Sequence, residues 1–265
     1  MAGERRGAAI EIAGLRKEYV SAAGRVLALQ DVNLSIAPGE FVCIVGPSGC
    51  GKSTLLRILA GLDTETAGSI KVNAPGWAIE NAMVFQESGL FPWMTVAANV
   101  GFGLMTRGVP AGEAATRVDA ALKLVGLSKF RNHYPHQLSG GMRQRSAIAR
   151  AFVTDPGVLL MDEPFAALDA QNRVILQAEL VRIWEATRKT VLYITHSIEE
   201  ALLLGDRTVV MTAQPGRIKQ TIEVPFPHPR NLMTLSASPE FGSLKLEIWR
   251  VLEDEVMRAR AEMEQ

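Results

Sequence analysis

Charge of one sign, long apolar runs and cysteine are all scarce in this chain of 265 residues. Lys plus Arg and Asp plus Glu are equal at 28 each, so there is no basic excess to track a nucleic-acid backbone, and any polyanion must be held locally. No apolar run reaches the roughly 18 residues needed to cross a bilayer. The opening MAGERRGAAIEIAGL lacks the apolar stretch of a secretory signal, so the chain is expected to stay in the cytosol. Two cysteines, Cys43 in an apolar strand and Cys50 in a glycine-rich loop, are too few for a disulfide framework or a zinc site and fit a reducing compartment. Internal repeats and low-complexity tracts are missing as well. What the chain does have is 48% hydrophobic residues, enough for a sizeable buried core.

Residues 9 to 46 read as short strands, IEIAGLRKEYV, VLALQDVNLSI and EFVCIVG, punctuated by turn signals at Ala23-Gly24 and Pro38-Gly39. From Lys52, STLLRILAGL has helical spacing, with Leu55, Leu56, Ile58 and Leu59 free to pack on a sheet and Gly61 as its stop. Strands follow near Ser69 to Val72 and Ala82 to Phe85. The stretch from about 95 to 155 is helical in character and reads as an inserted lobe. Strands return with VLLMDE and TVLYITH, an alternation with helices that predicts a largely parallel sheet. Ser238 followed by Pro239 predicts a helix start, and Phe241, Leu244, Ile248, Leu252 and Val256 give it an apolar stripe to lay on the core, with partner binding as the alternative.

The segment Gly46, Pro47, Ser48, Gly49, Cys50, Gly51, Lys52, Ser53, Thr54 matches G-x-x-x-x-G-K-[ST], after an apolar strand and before a helix. Its glycines let successive backbone N–H groups converge on phosphate oxygens at the positive end of the helix. Lys52 would reach the β- and γ-phosphates of a bound nucleotide, Ser53 would ligate Mg²⁺ and Thr54 would bond an α-phosphate oxygen. Val158 to Glu163 is an apolar run delivering two carboxylates at the edge where open α/β sheets bind ligands. There Asp162 would hold Mg²⁺, through water, and Glu163 would orient and deprotonate the attacking water. His196 ends the strand VLYITH, where it could either contact a γ-phosphate oxygen or serve structure alone. His133 and His136 lack the companions of a metal site, and His228 falls among prolines in an expected surface loop.

Leu138-Ser139-Gly140-Gly141-Met142-Arg143-Gln144-Arg145 is a second anion device: Ser-Gly-Gly ahead of a helical run offers N–H groups and a hydroxyl at a helix N-terminus. With these parts in this order, the chain resembles the ATP-binding cassette family from about residue 9 to residue 220. The order is Tyr19, the phosphate loop, Gln86, Ser139-Gly140-Gly141, Asp162-Glu163, Ala167-Leu168-Asp169 and His196. The resemblance implies an α/β fold with a P-loop NTPase (RecA-like) core, an antiparallel β subdomain and an inserted α-helical subdomain. It is expected as one ATPase domain over residues 1 to 265, with the core at about 9–94 and 156–225, the helical part at about 95–155 and a terminal helix at about 239–263.

The resemblance also implies ATP and Mg²⁺ as ligands and a homodimer in which the Ser139-Gly140-Gly141 signature of one subunit closes over ATP held by the other. It assigns Tyr19 to stack on adenine, though by residue type alone Tyr19 could be strand packing. Gln86 would sense the γ-phosphate and Mg²⁺, serving both catalysis and metal binding, and Asp169 would couple the two sites; Gln86 could equally be a plain strand-end residue. Met142 departs from the family's usual Gln and puts only a secondary contact in doubt.

Phe91 and Trp93, in the aromatic segment after Gln86, are expected at a docking groove for a membrane permease subunit, with core packing as their alternative. LFPWMTV, LSGGMRQR, TAQPGRI and VPFPHPRN resemble the nitrate, sulfonate and taurine importers of bacteria. That places the chain peripherally at the cytoplasmic face of the inner membrane, with a solute-binding protein as an indirect partner and no nucleic-acid partner. Chromosome-maintenance ATPases would need a long coiled coil between Gly46 and Asp162, where only about a hundred residues lie. P-loop kinases and GTPases would have no use for Ser139 or His196.

Overall fold

The computed structural model describes residues 7–22, 24–74, 81–166 and 168–263. Ala23 and Ala167, named above, lie outside them. The first two strands, β1 (Ala9–Ser21) and β2 (Gly24–Ile36), form an antiparallel sheet with β4 (Ala67–Asn73) in the order β2-β1-β4. They are long, not short. Their in-out alternation is broken by register shifts between Ile12 and Glu18, so the sequence pattern looks fragmentary where the strands run on through bulges.

A second sheet has the order β5-β6-β7-β3-β8-β9, made of β5 (Asn81–Val84), β6 (Val158–Asp162), β7 (Thr190–Ile194), β3 (Phe41–Val45), β8 (Arg207–Met211) and β9 (Ile218–Glu223). Five of these strands are parallel and β9 pairs antiparallel with β8. Every residue of β3 and β7 is buried, because both faces of a parallel sheet are covered; hence the continuous apolar runs FVCIV and TVLYI.

One core lies between this sheet, α1 (Lys52–Leu59) and the antiparallel sheet, and includes Ile10, Leu29, Ile44, Leu55, Leu56 and Ile194. The other face carries a core that takes in Phe41, Tyr193 and Trp184 together with Val100, Leu122 and Ile148. Those last three belong to α2 (Val96–Met105), α3 (Ala111–Leu124) and α4 (Gly140–Phe152), which lie between β5 and β6 in the chain. The helical stretch therefore shares its apolar core with the sheet.

The remaining helices are α5 (Ala170–Thr187), α6 (Ile198–Leu204), α7 (Leu232–Ser236) and α8 (Pro239–Met263). Ser238 Oγ accepts a hydrogen bond from Phe241 N at the start of α8, and Phe241, Ile248 and Leu252 are buried against the core. Glu255 on the same helix is also buried; it accepts from Ala213 N at 2.9 Å and pairs with Lys219 at 2.8 Å. Burial pushes the Glu255 carboxyl up, but the Lys219 charge and the Ala213 N–H outweigh it and leave the group below its ordinary range. No described helix is long and apolar enough to cross a membrane.

Candidate functional site

Register brings the motifs to one edge. Asp162 on β6 pairs with Ile194 on β7, which pairs with Ile44 on β3, so three strands reach their carboxyl ends level with one another. Glu163, His196 and Gly46 follow within two residues of those ends, at the sheet edge where open α/β folds bind ligands.

Gly46, Pro47 and Cys50 are buried as the inner wall of the phosphate loop, while Ser48 and Gly49 face solvent. Gly51 caps α1 in the left-handed region, at φ 98°, and a Cβ there would sit 2.8 Å from the Ala28 carbonyl oxygen, so both conformation and space demand glycine. Lys52 is buried, and its Nζ donates to the carbonyls of Gly46 at 2.9 Å and Pro47 at 2.8 Å. Ser53 Oγ donates to Asp162 Oδ1 at 3.2 Å, which places a hydroxyl and a carboxylate oxygen side by side. A cleft of about 220 Å³ is lined by Ala28, Ser48, Gly49, the first three residues of α1, Gly51, Glu163 and His196. Burial raises the Asp162 carboxyl pKa, in part offset by the Ser53 hydrogen bond and by the charges of Lys52 and His196. Burial likewise raises the Cys50 thiol pKa, which the charge and hydrogen bond of Lys52 offset only in part.

Glu163 has φ 44°, a left-handed conformation unusual for a side chain of its kind, and its N–H donates to Ile194 O at 3.1 Å. Its Oε1 lies 2.6 Å from His196 Nε2. Behind this pair a second cavity of about 200 Å³ opens between Glu163, Arg173, Thr195, His196 and Glu200. Glu200 is buried and accepts from Gln177 Nε2 at 2.9 Å and from the Thr195 hydroxyl, which in turn accepts from Ser197 N at 3.0 Å. Sequence reasoning missed Glu200 and Thr195; the available signal was a carboxylate one helical turn beyond His196.

Ser139 is the N-cap of α4, its Oγ accepting from Met142 N at 3.3 Å, a bond that uses the Met142 backbone and is indifferent to its side chain. Gly140 lines a separate cleft of about 420 Å³ with Gln86, Glu87, Arg143, Gln144 and Leu168. This cleft shares no residue with the phosphate-loop cleft, so within one chain the two anion devices stand apart. The signature helix also grips the segment after β5. Gln144 Nε2 donates to Phe85 O at 3.3 Å, and Arg150 donates to Gly89 O at 2.8 Å and Ser88 O at 2.9 Å. Asp169 caps α5, accepting from Asn172 N at 3.0 Å and Asn172 Nδ2 at 2.7 Å, and these bonds lower its carboxyl pKa.

Phe91 packs against Phe102 at 4.7 Å between ring centroids, whereas Trp93 is 69% exposed. Buried Asn99, not anticipated from sequence, fixes this loop: it accepts from Phe91 N and donates to the carbonyls of Phe91, Met94 and Thr95. Tyr19 lies on β1, paired with Val26 of β2, and its hydroxyl donates to Asp63 Oδ2 at 2.7 Å.

The loop after β8 returns to the phosphate loop. Gly216 N donates to Ala28 O and Gly216 O accepts from Gln30 N, both at 2.9 Å, and a Cβ on Gly216 would lie 2.0 Å from the Cys50 carbonyl oxygen. The expectation that His228 belongs to a surface loop is corrected. Its side chain is only 8% exposed, packs on Trp184 at 4.7 Å between ring centroids, and lies 3.4 Å from both Glu185 and Asp206. The flanking prolines stiffen a segment that folds back over the core.

Comparison with known proteins gives consistent results. The ABC transporter family matches residues 29–166. The taurine import ATP-binding protein of Roseobacter denitrificans is 44% identical over 241 residues, spanning 88% of this chain and 90% of that protein. The nitrate import ATP-binding protein of a Synechocystis species is 44% identical over 251 residues, spanning 92% and 94%. Among solved structures, the dimeric post-hydrolysis state of an ATP-binding cassette bound to ADP and Pi superposes with a TM-score of 0.71 at 32% identity, covering 82% of this chain and all of that one.

Proposed function

The chain belongs to the ABC transporter family, and from that premise we propose that it is the ATP-binding and ATP-hydrolysing subunit of a bacterial importer for a small anion such as nitrate, taurine or another sulfonate. The observation that carries this reading is the convergence of Lys52, the Ser53–Asp162 pair and the Glu163–His196 pair on one cleft at the sheet edge.

In this reading the N–H groups of the loop from Gly46 to Thr54 cradle the phosphates of ATP, and Lys52 exchanges its loop carbonyls for the β- and γ-phosphate oxygens. The Ser53 hydroxyl and the Asp162 carboxylate are hard oxygen donors at neighbouring positions, which suits Mg²⁺, an ion that binds through one or two protein oxygens, substrate phosphates and water. Mg²⁺, when bound there, neutralises charge on the β- and γ-phosphates. Glu163 orients the attacking water and takes its proton. His196, held at 2.6 Å from that carboxylate, donates to the γ-phosphate, and Gln86 reports the presence of the γ-phosphate to the segment that follows it. Tyr19 stacks on adenine.

Gly140 lines a cleft that shares no residue with the phosphate-loop cleft of its own chain, which supports the use of Ser139, Gly140 and Gly141 on a nucleotide held by a second copy. The likeness to a dimeric cassette supports the same arrangement, with Asp169 linking the two sites. The exposed Trp93 and the Phe91 beneath it then meet the permease, the solute-binding protein acts through that permease, and the subunit works peripherally at the cytoplasmic face of the inner membrane. Support for the solute class comes from the relatives and not from the site.

The test is Glu163→Gln. Nucleotide binding is expected to persist, measured by titration with MgATP, while turnover drops ~10² to 10⁴-fold for loss of a general base. Wild-type turnover in this variant would remove Glu163 from the chemistry.

A further inference from the structure

The aromatic ring assigned to adenine does not hang free from its strand. Tyr19 Oη donates to Asp63 Oδ2 at 2.7 Å. The other oxygen of the same carboxylate accepts from Lys17 Nζ at 2.5 Å and from Thr64 N at 2.8 Å. Lys17 is buried, also donates to Thr64 O at 2.6 Å, and stands 4.7 Å over the centroid of the Tyr19 ring. One carboxylate thus fixes both the phenol and the cation that covers one ring face. The ring remains 39% exposed, beside the exposed Val26 with which it pairs. Val26 lies two residues along β2 from Ala28, which lines the phosphate-loop cleft, so the platform stands roughly 7 Å beyond that cleft along the strand.

What makes this arrangement informative is where Asp63 comes from. It lies four residues past the end of α1, the helix that carries Lys52 and Ser53 at its first turn and closes through Ala60 and Gly61. Tyr19 belongs to β1 of the antiparallel sheet, an element separate from the phosphate loop and its helix. The Asp63 clamp ties the far end of α1 to β1, so a single helix sets the position of the phosphate groups at one end and the tilt and distance of the base platform at the other. Hydrogen bonds from Lys17 and Tyr19 lower the Asp63 carboxyl to about 2, so it is ionised at neutral pH.

We propose that Asp63 is a positioning residue for the nucleotide base: by holding the Tyr19 hydroxyl and Lys17 from the end of α1, it sets the Tyr19 ring at the spacing from the phosphate loop that adenosine requires. This rests on the reading of Tyr19 as the adenine platform. Asp63 makes no contact with nucleotide.

The experiment compares MgATP with Mg-tripolyphosphate, which carries the phosphates without the adenosine, by calorimetric titration of the full chain. The ratio of the two affinities isolates what the base contributes. Tyr19→Ala is expected to reduce that ratio by roughly 10- to 100-fold, the range for loss of base stacking on an aromatic ring. Asp63→Ala and Tyr19→Phe, the latter keeping the ring and deleting only its hydroxyl, are expected to reduce it by about fivefold, with tripolyphosphate affinity unchanged. The double variant should lose no more than the larger single loss, because both remove one tether.

A wild-type ratio in Asp63→Ala and Tyr19→Phe, alongside a collapsed ratio in Tyr19→Ala, overturns the proposal and leaves the stacking reading intact. An unchanged ratio in Tyr19→Ala overturns both. Equal weakening of both ligands in Asp63→Ala reveals a purely architectural residue and also overturns the proposal. If Asp63→Ala does not fold, Tyr19→Phe decides alone, since it leaves the Asp63–Lys17 pair in place.

Discussion

Gly216 stands where the smallest possible enlargement meets the phosphate loop. In Gly216→Ala the added Cβ falls 2.0 Å from the Cys50 carbonyl oxygen, against an ordinary carbon–oxygen contact of about 3.3 Å. Something must yield by about 1.3 Å. The Met211 methyl, at 2.9 Å, belongs to a flexible side chain and can turn aside, but Cys50 is backbone. The Gly216 loop cannot simply retreat, because Gly216 is bonded to Ala28 on one side and Gln30 on the other. The phosphate loop therefore shifts. Gly216 is not among the positive-φ glycines, so alanine meets a contact and not a forbidden backbone conformation.

Overpacking of this kind costs about 1 to 3 kcal/mol, leaving a folded protein, whereas a shift of about 1 Å at reacting groups costs ~10²-fold in rate. Gly216→Ala is thus expected to stay folded in thermal unfolding while its ATP turnover falls ~10²-fold and its MgATP affinity declines. The control is Gly242→Ala on α8, where a Cβ meets nothing within 4 Å; it should unfold slightly later than wild type, by about 0.5 to 1 kcal/mol of added stability, with unchanged turnover. A folded Gly216→Ala protein with wild-type affinity and turnover would refute the view that this loop supports the phosphate loop.

Two further outcomes follow from the separation of the sites. Ser139→Arg should abolish hydrolysis while leaving ATP binding by a monomer nearly intact, since in the proposed sandwich the affected nucleotide belongs to the other copy; full-rate hydrolysis by a strictly monomeric preparation, independent of protein concentration, would contradict the sandwich. Trp93→Ala should leave basal ATPase and thermal stability unchanged, because the ring is 69% exposed, yet lower co-purification with the permease and uncouple transport in vesicles, an aromatic anchor at an interface centre being worth ~2 kcal/mol or more. Unfolding of the soluble Trp93→Ala subunit would assign the ring to the core instead.

The positions of the candidate site groups were legible where one short segment sets them. The phosphate loop, the Ser139 cap and the strand-end positions of Asp162, Glu163 and His196 depend on local spacing and on periodicity, and both survive in one dimension. The supports were not legible. Asp63 meets Tyr19 across 44 residues of chain, and Gly216 meets Cys50 across a far longer stretch that takes in most of the sheet and helices; no local pattern encodes either contact. His228 was misjudged because flanking prolines signal a turn, while burial depends on Trp184, which happens to lie beneath. The long β1–β2 pair was underestimated for the same kind of reason: bulges erase the alternation on which strand reading relies.

The grip of α4 on the chain after β5 has a mechanical meaning. Ser139 stands at the front of this helix, and Arg150, which holds the carbonyls of Ser88 and Gly89, stands three turns behind it. The rod between them is about 16 Å long and has no joint. A tilt of about 10° at the signature end sweeps the other end through about 3 Å, and because Gln144 grips Phe85 partway along, the whole stretch from 85 to 89 travels with the rod. Torque applied at Ser139 would thus be delivered two residues short of Phe91.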